Sequence, residues 1–130
     1  MVTAIYASVL SIIICWLSLN VIKARRRNKV AYADGGIEEL IVARSAQSNA
    51  VDYIPITLIL LFLIEYNGAN MWLIHIAGIS FVIGRIIHCY SILSENLKGR
   101  AIGMQITILT IVFLALLNLF YLPYAKFLLL

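Results

Sequence analysis

Charged residues are absent from positions 1–22, 54–64, 66–84 and 101–125 of the 130-residue chain. A membrane-spanning helix needs about 20 mostly apolar residues. Four such segments fit, over 2–23, 40–65, 70–93 and 101–126. The second departs from the pattern, because its first third carries Arg44, Ser45, Gln47, Ser48, Asn49 and Asp52, followed by Tyr53, Ile54 and Pro55. The pattern predicts an all-α membrane protein, a bundle of four transmembrane helices forming a single domain over 1–130.

Turn chemistry separates the segments. Nothing breaks the first helix before Asn28, so it is expected to run past the membrane surface. Asp34-Gly35-Gly36 marks a turn, and Asp34 is placed to cap the second helix, with Glu38 and Glu39 in its first turn where the helix dipole favours acids. Pro55 predicts a kink near 51–55, since it removes one backbone hydrogen bond. Asn67-Gly68 predicts the tight turn into the third helix. Gly99 and Gly103 flank the expected start of the fourth, and Pro123 ends or bends it.

Composition agrees with a membrane chain: 63% of residues are hydrophobic and 12% charged, about half the charge of an average soluble domain. The first segment has no basic residue ahead of its apolar run, and that run is too long for a signal peptide, so it is read as a retained helix. Lys23, Arg25, Arg26, Arg27 and Lys29 crowd the first connection, and Lys98 and Arg100 lie in or beside the third, whereas the second connection has no basic residue. The positive-inside rule therefore places connections one and three in the cytoplasm and both termini outside. Basic residues hugging a membrane helix are a topology signal and a lipid-headgroup contact, which argues against a nucleic-acid partner. Cys15 and Cys89 fall inside apolar segments without CxxC spacing and read as small buried hydrophobes. His75 and His88, thirteen positions apart and without an acid or cysteine cluster, predict no metal site.

The polar set inside the second segment is where function is sought. A charge at the centre of a bilayer costs at least ~2.5–3.5 kcal/mol, so such groups persist only against protein or a wet cavity. At about 100° per residue, Ser48, Asp52, Ser45 and Asn49 fall about 40, 80, 100 and 140° from Arg44. They form one stripe about two turns long. The third segment contributes Arg85 and His88, neighbours at i and i+3. Asp52 is the one acid inside a span away from its ends, and so the expected partner of Arg85. Arg44, Arg85 and the nearby Arg100 outnumber it, and a positive pocket of this kind wants an anion. Blander readings stand beside this one. Arg44 can snorkel to the headgroups, an Arg85–Asp52 pair can merely tie two helices, and Asn118 can be an ordinary interhelical hydrogen bond of ~0.6 kcal/mol.

Three stretches, 24–30, 47–55 and 84–88, taken in order across four spans, make the chain similar to the MAPEG family, the membrane-associated proteins of eicosanoid and glutathione metabolism. It most resembles the family's small bacterial inner-membrane branch. The middle stretch is the most specific, with Asn49, an acid three residues on at Asp52, then Tyr53 and Pro55. The resemblance implies a left-handed four-helix bundle that assembles as a homotrimer, with glutathione as cosubstrate between neighbouring subunits on the cytoplasmic side. It implies that Arg25 and the helix-2 arginine, here Arg44, hold carboxylates and that Asn49 hydrogen-bonds the tripeptide. Asp52 would receive the ammonium in place of the family's glutamate, while Tyr53, Arg85 and His88 complete the wall. Arg100, at the start of the fourth helix, is the nearest candidate for the catalytic arginine that holds the thiolate. The expected activity is that of a glutathione-dependent transferase or peroxidase acting on lipophilic electrophiles from the membrane.

The chain departs from that pattern in three places. Ser45 stands where relatives place the helix-2 arginine, with Arg44 one position earlier. Ile92 stands where they often place a tyrosine, and Arg100 aligns only approximately. A bundle of the same fold that binds another anion or a lipid without catalysis is the alternative. A four-span exporter of cationic drugs is disfavoured, because it needs an embedded acid with little positive charge around it.

Overall fold

The computed structural model describes residues 1–124. Four helices follow in order: α1 Thr3–Asn28, α2 Glu38–Tyr66, α3 Met71–Leu93 and α4 Leu97–Phe120. Each is long and apolar enough to cross a membrane. The last positions of the expected 101–126 segment lie outside the described residues.

The connections match the turn signals in part. α1 closes on Lys29 in the left-handed region, and Gly68 turns the α2–α3 corner at φ +80°, an angle glycine takes without steric cost. Asp34 does not cap α2. The residue ahead of the helix is Ile37, with no side-chain cap, while an Asp34 carboxylate oxygen accepts from the Gly36 amide at 3.1 Å in a local turn. α4 begins earlier than the charge-free run suggested, because Asn96 caps it by accepting from the Gly99 amide at 3.1 Å. Gly99 and Gly103 therefore lie inside the helix. Helix α2 continues through Pro55 to Tyr66.

The helices pack as a diamond. α2 and α3 occupy the short diagonal and touch each other and both outer helices; α1 and α4 do not meet among the described residues. On α2 the buried positions include Ala43, Ala50, Thr57 and Ile64 at sevenfold spacing, with Ile54 and Leu61 between them. A seven-residue apolar repeat is the signature of left-handed helix packing. Alanines at 43, 46 and 50 let neighbouring backbones approach closely, as small residues do in membrane bundles. α3 and α4 come closer still at Gly103, where an added Cβ would sit 2.6 Å from the His88 backbone nitrogen.

Polar ties join the helices where lipid could not satisfy them. The Asn118 amide donates to the Leu60 carbonyl at 2.9 Å, linking α4 to α2. Tyr6 on α1 is hydrogen-bonded to His75 on α3 at 2.7 Å. The first amides of α1 have no cap of their own, and Glu65 at the far end of α2 accepts from Val2 and Thr3 instead. Cys89 is buried, whereas Cys15 is exposed on α1, so only one of the two cysteines is a core hydrophobe.

Candidate functional site

The α2 stripe lines an open groove of about 470 Å³. Helical spacing puts Arg44, Ser48, Asn49 and Asp52 along it, and Gln47 and Ser45 flank them. Asp34 from the α1–α2 connection closes one end. Its carboxylate pairs with the Arg44 guanidinium at 3.1 Å, and both side chains are about two-fifths exposed. Sequence reasoning missed this pair, since nothing periodic links a loop residue to a helix face ten positions later. Gln47 turns the other way and donates to the Ser18 hydroxyl on α1 at 3.1 Å. Ser45 spends its hydroxyl on the Ile41 carbonyl of its own helix, at 2.7 Å.

Arg85 lies behind the groove. It is wholly shielded (0% exposed), the largest fully buried side chain among the described residues. Its Nη2 donates to the Asn49 carbonyl oxygen at 2.9 Å and approaches the Cys89 sulfur at 3.7 Å. Its guanidinium carbon stands 5.9 Å from the centre of the Tyr53 ring, a cation–π distance. Nε and Nη1 have no partner among the described residues. The expected Arg85–Asp52 contact does not form. Asp52 is exposed on the groove face and makes no ion pair among the described residues, and the neutral Asn49 amide takes its place. The reason is angular: Asn49 and Asp52 sit about 60° apart around α2, and α3 packs against the Asn49 side.

The remaining candidates divide. His88 is buried on α3, with Nδ1 2.8 Å from the Arg100 carbonyl and Nε2 without a partner. Arg100 is exposed and lines a neighbouring cavity of about 400 Å³ with Ser91 and Ile92. Ile41 and Ser45 border both that cavity and the α2 groove, so the two spaces share a wall. Arg25 stands apart. It donates to the Ala31 carbonyl at 3.0 Å and faces a separate cavity beyond the end of α1. Within one chain, therefore, Arg44, Asn49 and Asp52 line one groove, Arg85 and Tyr53 lie behind it against Asn49, Arg100 lines the adjoining cavity, and Arg25 does not reach it.

Comparison with known sequences decides the family. Residues 3–120 match the MAPEG family. The chain belongs to the MAPEG family. It is 38% identical over 124 residues to the inner membrane protein YecN of Escherichia coli K12, covering 95% of each chain. The YecN of E. coli O6:H1 matches to the same extent. MAPEG membership accords with the four long helices and with the polar stripe on α2. No metal cluster of histidine, cysteine or acids occurs among the described residues.

Proposed function

We propose that this MAPEG protein is an integral inner-membrane enzyme that conjugates or reduces lipophilic electrophiles with glutathione, working as a homotrimer with the tripeptide held between subunits. The observation that carries the reading is Arg85, a fully buried guanidinium with two unpartnered donors and no carboxylate opposite it. A buried charge left this way is costly, and a carboxylate guest in the adjoining groove would relieve the cost through charge-assisted bonds once Asn49, which stands between the groove and Arg85, turns aside. Glutathione brings two carboxylates, one ammonium and one thiol. Asp52, exposed and unpaired on the groove, suits the ammonium. Arg44 suits a carboxylate once it exchanges Asp34 for the ligand. Arg25, remote within its own chain, would be supplied to the groove by a neighbouring copy.

The trimer rests on the same physics. Ser48 and Asp52 are exposed on α2 in the single chain, and hydrocarbon cannot satisfy them. A second copy or an aqueous cleft between copies can. For the chemistry, Arg100 would stabilise the thiolate from the adjoining cavity, reached past the small Ser45. The thiol proton passes to water, and the sulfur lone pair forms the new bond to the electrophilic carbon as the leaving group departs with its bonding pair. With a peroxide it takes the outer oxygen, releasing the alcohol, and a second glutathione converts the sulfenic acid to the disulfide and water. The protein supplies position and charge, and the nucleophile arrives with the cosubstrate.

A second reading is a MAPEG bundle that binds another anion or a lipid without catalysis. It draws on Arg44, already paired with Asp34, and on Ser45, whose hydroxyl is committed to its own helix. Thiolate absorbance separates the two. Adding glutathione to the purified protein should raise absorbance near ~240 nm, because an adjacent guanidinium favours the thiolate. Arg100→Ala should remove that signal while sparing binding. Binding without any thiolate signal in the native protein would favour the second reading.

A further inference from the structure

Away from the α2 groove, the ends of α1 and α3 and the start of α2 enclose a second cavity of about 580 Å³. The geometry points to a site there for a glycerophospholipid whose headgroup is zwitterionic and carries a primary amine. The α1 wall is a ladder at helical spacing: Trp16, Asn20, Lys23 and Arg27. Their rise of 1.5 Å per residue spans about 16 Å along the helix. Read from the bilayer interior outward, the ladder runs from an indole to an amide, then an ammonium, then a guanidinium. A glycerophospholipid presents acyl chains, ester carbonyls and phosphate in that order. Trp16 is half-exposed on the deep side, the usual place of an indole between chains and headgroups.

Charge selects the headgroup. Two cations, Lys23 and Arg27, face three carboxylates, Glu38, Glu39 and Glu95. Arg27 and Glu39 neutralise each other at 2.6 Å, and the Asn28 amide donates to the same carboxylate at 2.9 Å. What remains is Lys23 against Glu38 and Glu95, none of them in an ion pair among the described residues. A phosphate satisfies Lys23, and a primary ammonium donates to the two acids. An anionic headgroup would bring negative charge toward a surplus of acids, and a trimethylammonium has no N–H to give.

Glu95 sits on the rim of this cavity. It ends α3 in the left-handed region at φ +56°, where glycine is the unstrained choice. Lys29 and Ala33 are held in the same region, as helix ends and turns require.

The test uses the Trp72→Phe protein, so that Trp16 is the sole tryptophan, in detergent titrated with bromine-labelled phospholipids of matched chains. Ethanolamine, choline and glycerol headgroups are compared through quenching of Trp16 fluorescence. The ethanolamine lipid should quench at a roughly fivefold lower mole fraction than the others, the scale of one interfacial charge contact. Lys23→Ala and Glu95→Gly should each erase that preference, and Glu95→Gly relieves the backbone strain, so it tests the contact without endangering the fold. Equal quenching by all three lipids overturns the assignment. So does a preference for the glycerol lipid, or a preference that survives Glu95→Gly.

Discussion

Arg85 on α3 and Asn49 on α2 share a 2.9 Å bond, the one hydrogen bond among the described residues between the buried guanidinium and the helix that lines the groove. The bond fixes Arg85 behind the cleft while leaving Nε and Nη1 buried without a partner among the described residues. Stability and ligand capacity therefore separate at this pair. Asn49→Ala leaves the buried charge with no strong acceptor and should destabilise the protein by ~1.5–3 kcal/mol. Arg85→Met removes the charge itself, and a fitted apolar chain often replaces a buried ion at no cost. Thermal unfolding in detergent should show Asn49→Ala melting well below the native protein and Arg85→Met close to it. Equal losses for both would deny that Arg85 is an uncompensated charge.

Gly103 sets the distance between α4 and α3 at the level of His88. A methyl group there would press into the His88 backbone from 2.6 Å. Helical backbone cannot yield as a flexible side chain would. Gly103→Ala should cost about 1–3 kcal/mol, as overpacking does, and should displace the start of α4, which carries Arg100. Thermal unfolding of Gly103→Ala against the native protein checks this, and an unchanged melting temperature would refute the close approach.

At the opposite end of the bundle, Glu65 supplies the cap that α1 lacks, accepting from Val2 and Thr3. Glu65→Ala should destabilise by ~1–2 kcal/mol, the range of lost helix caps. Hydrogen exchange should localise the loss to the first turn of α1. Protection unchanged in that turn would mean the cap contributes little.

Arg44 and Asp34 form a half-exposed pair, and such pairs contribute little to folding. Arg44→Ala should therefore change stability by less than about 1 kcal/mol. Its effect should fall on glutathione affinity, which titration reads separately. A large loss of stability without a change in affinity would make Arg44 a structural tie.

Three of the four helices were legible because a membrane demands long apolar runs, while α2, whose charge-free run covers only 54–64, needed the turn signals on either side. The polar stripe on α2 was legible as a groove lining, and its partners were less so. Asn49, Tyr53 and Arg85 do meet, yet Asn49 holds the position expected of Asp52. Residues 49 and 52 are too close on the helical wheel for sequence to say which one α3 packs against. Asp34 shows a different limit. Its role depends on how a loop folds back over α2, and no periodicity encodes that return. Glu65 likewise serves a helix more than sixty residues away, a relation only packing creates. Trp16, Asn20, Lys23 and Arg27 were read separately as an apolar run and a topology signal, because their common cavity exists only once α3 closes over it.

The central claim is that the α2 groove, with the buried Arg85 behind it, receives glutathione. Calorimetric titration of glutathione into the purified native protein, with Arg85→Met and Asp52→Ala in parallel, tests it most directly. The account predicts saturable binding by the native protein, weakened by ~1.5–3 kcal/mol in each variant, the scale of a lost charge-assisted hydrogen bond. No binding heat in the native protein, or equal affinity in all three, would contradict it.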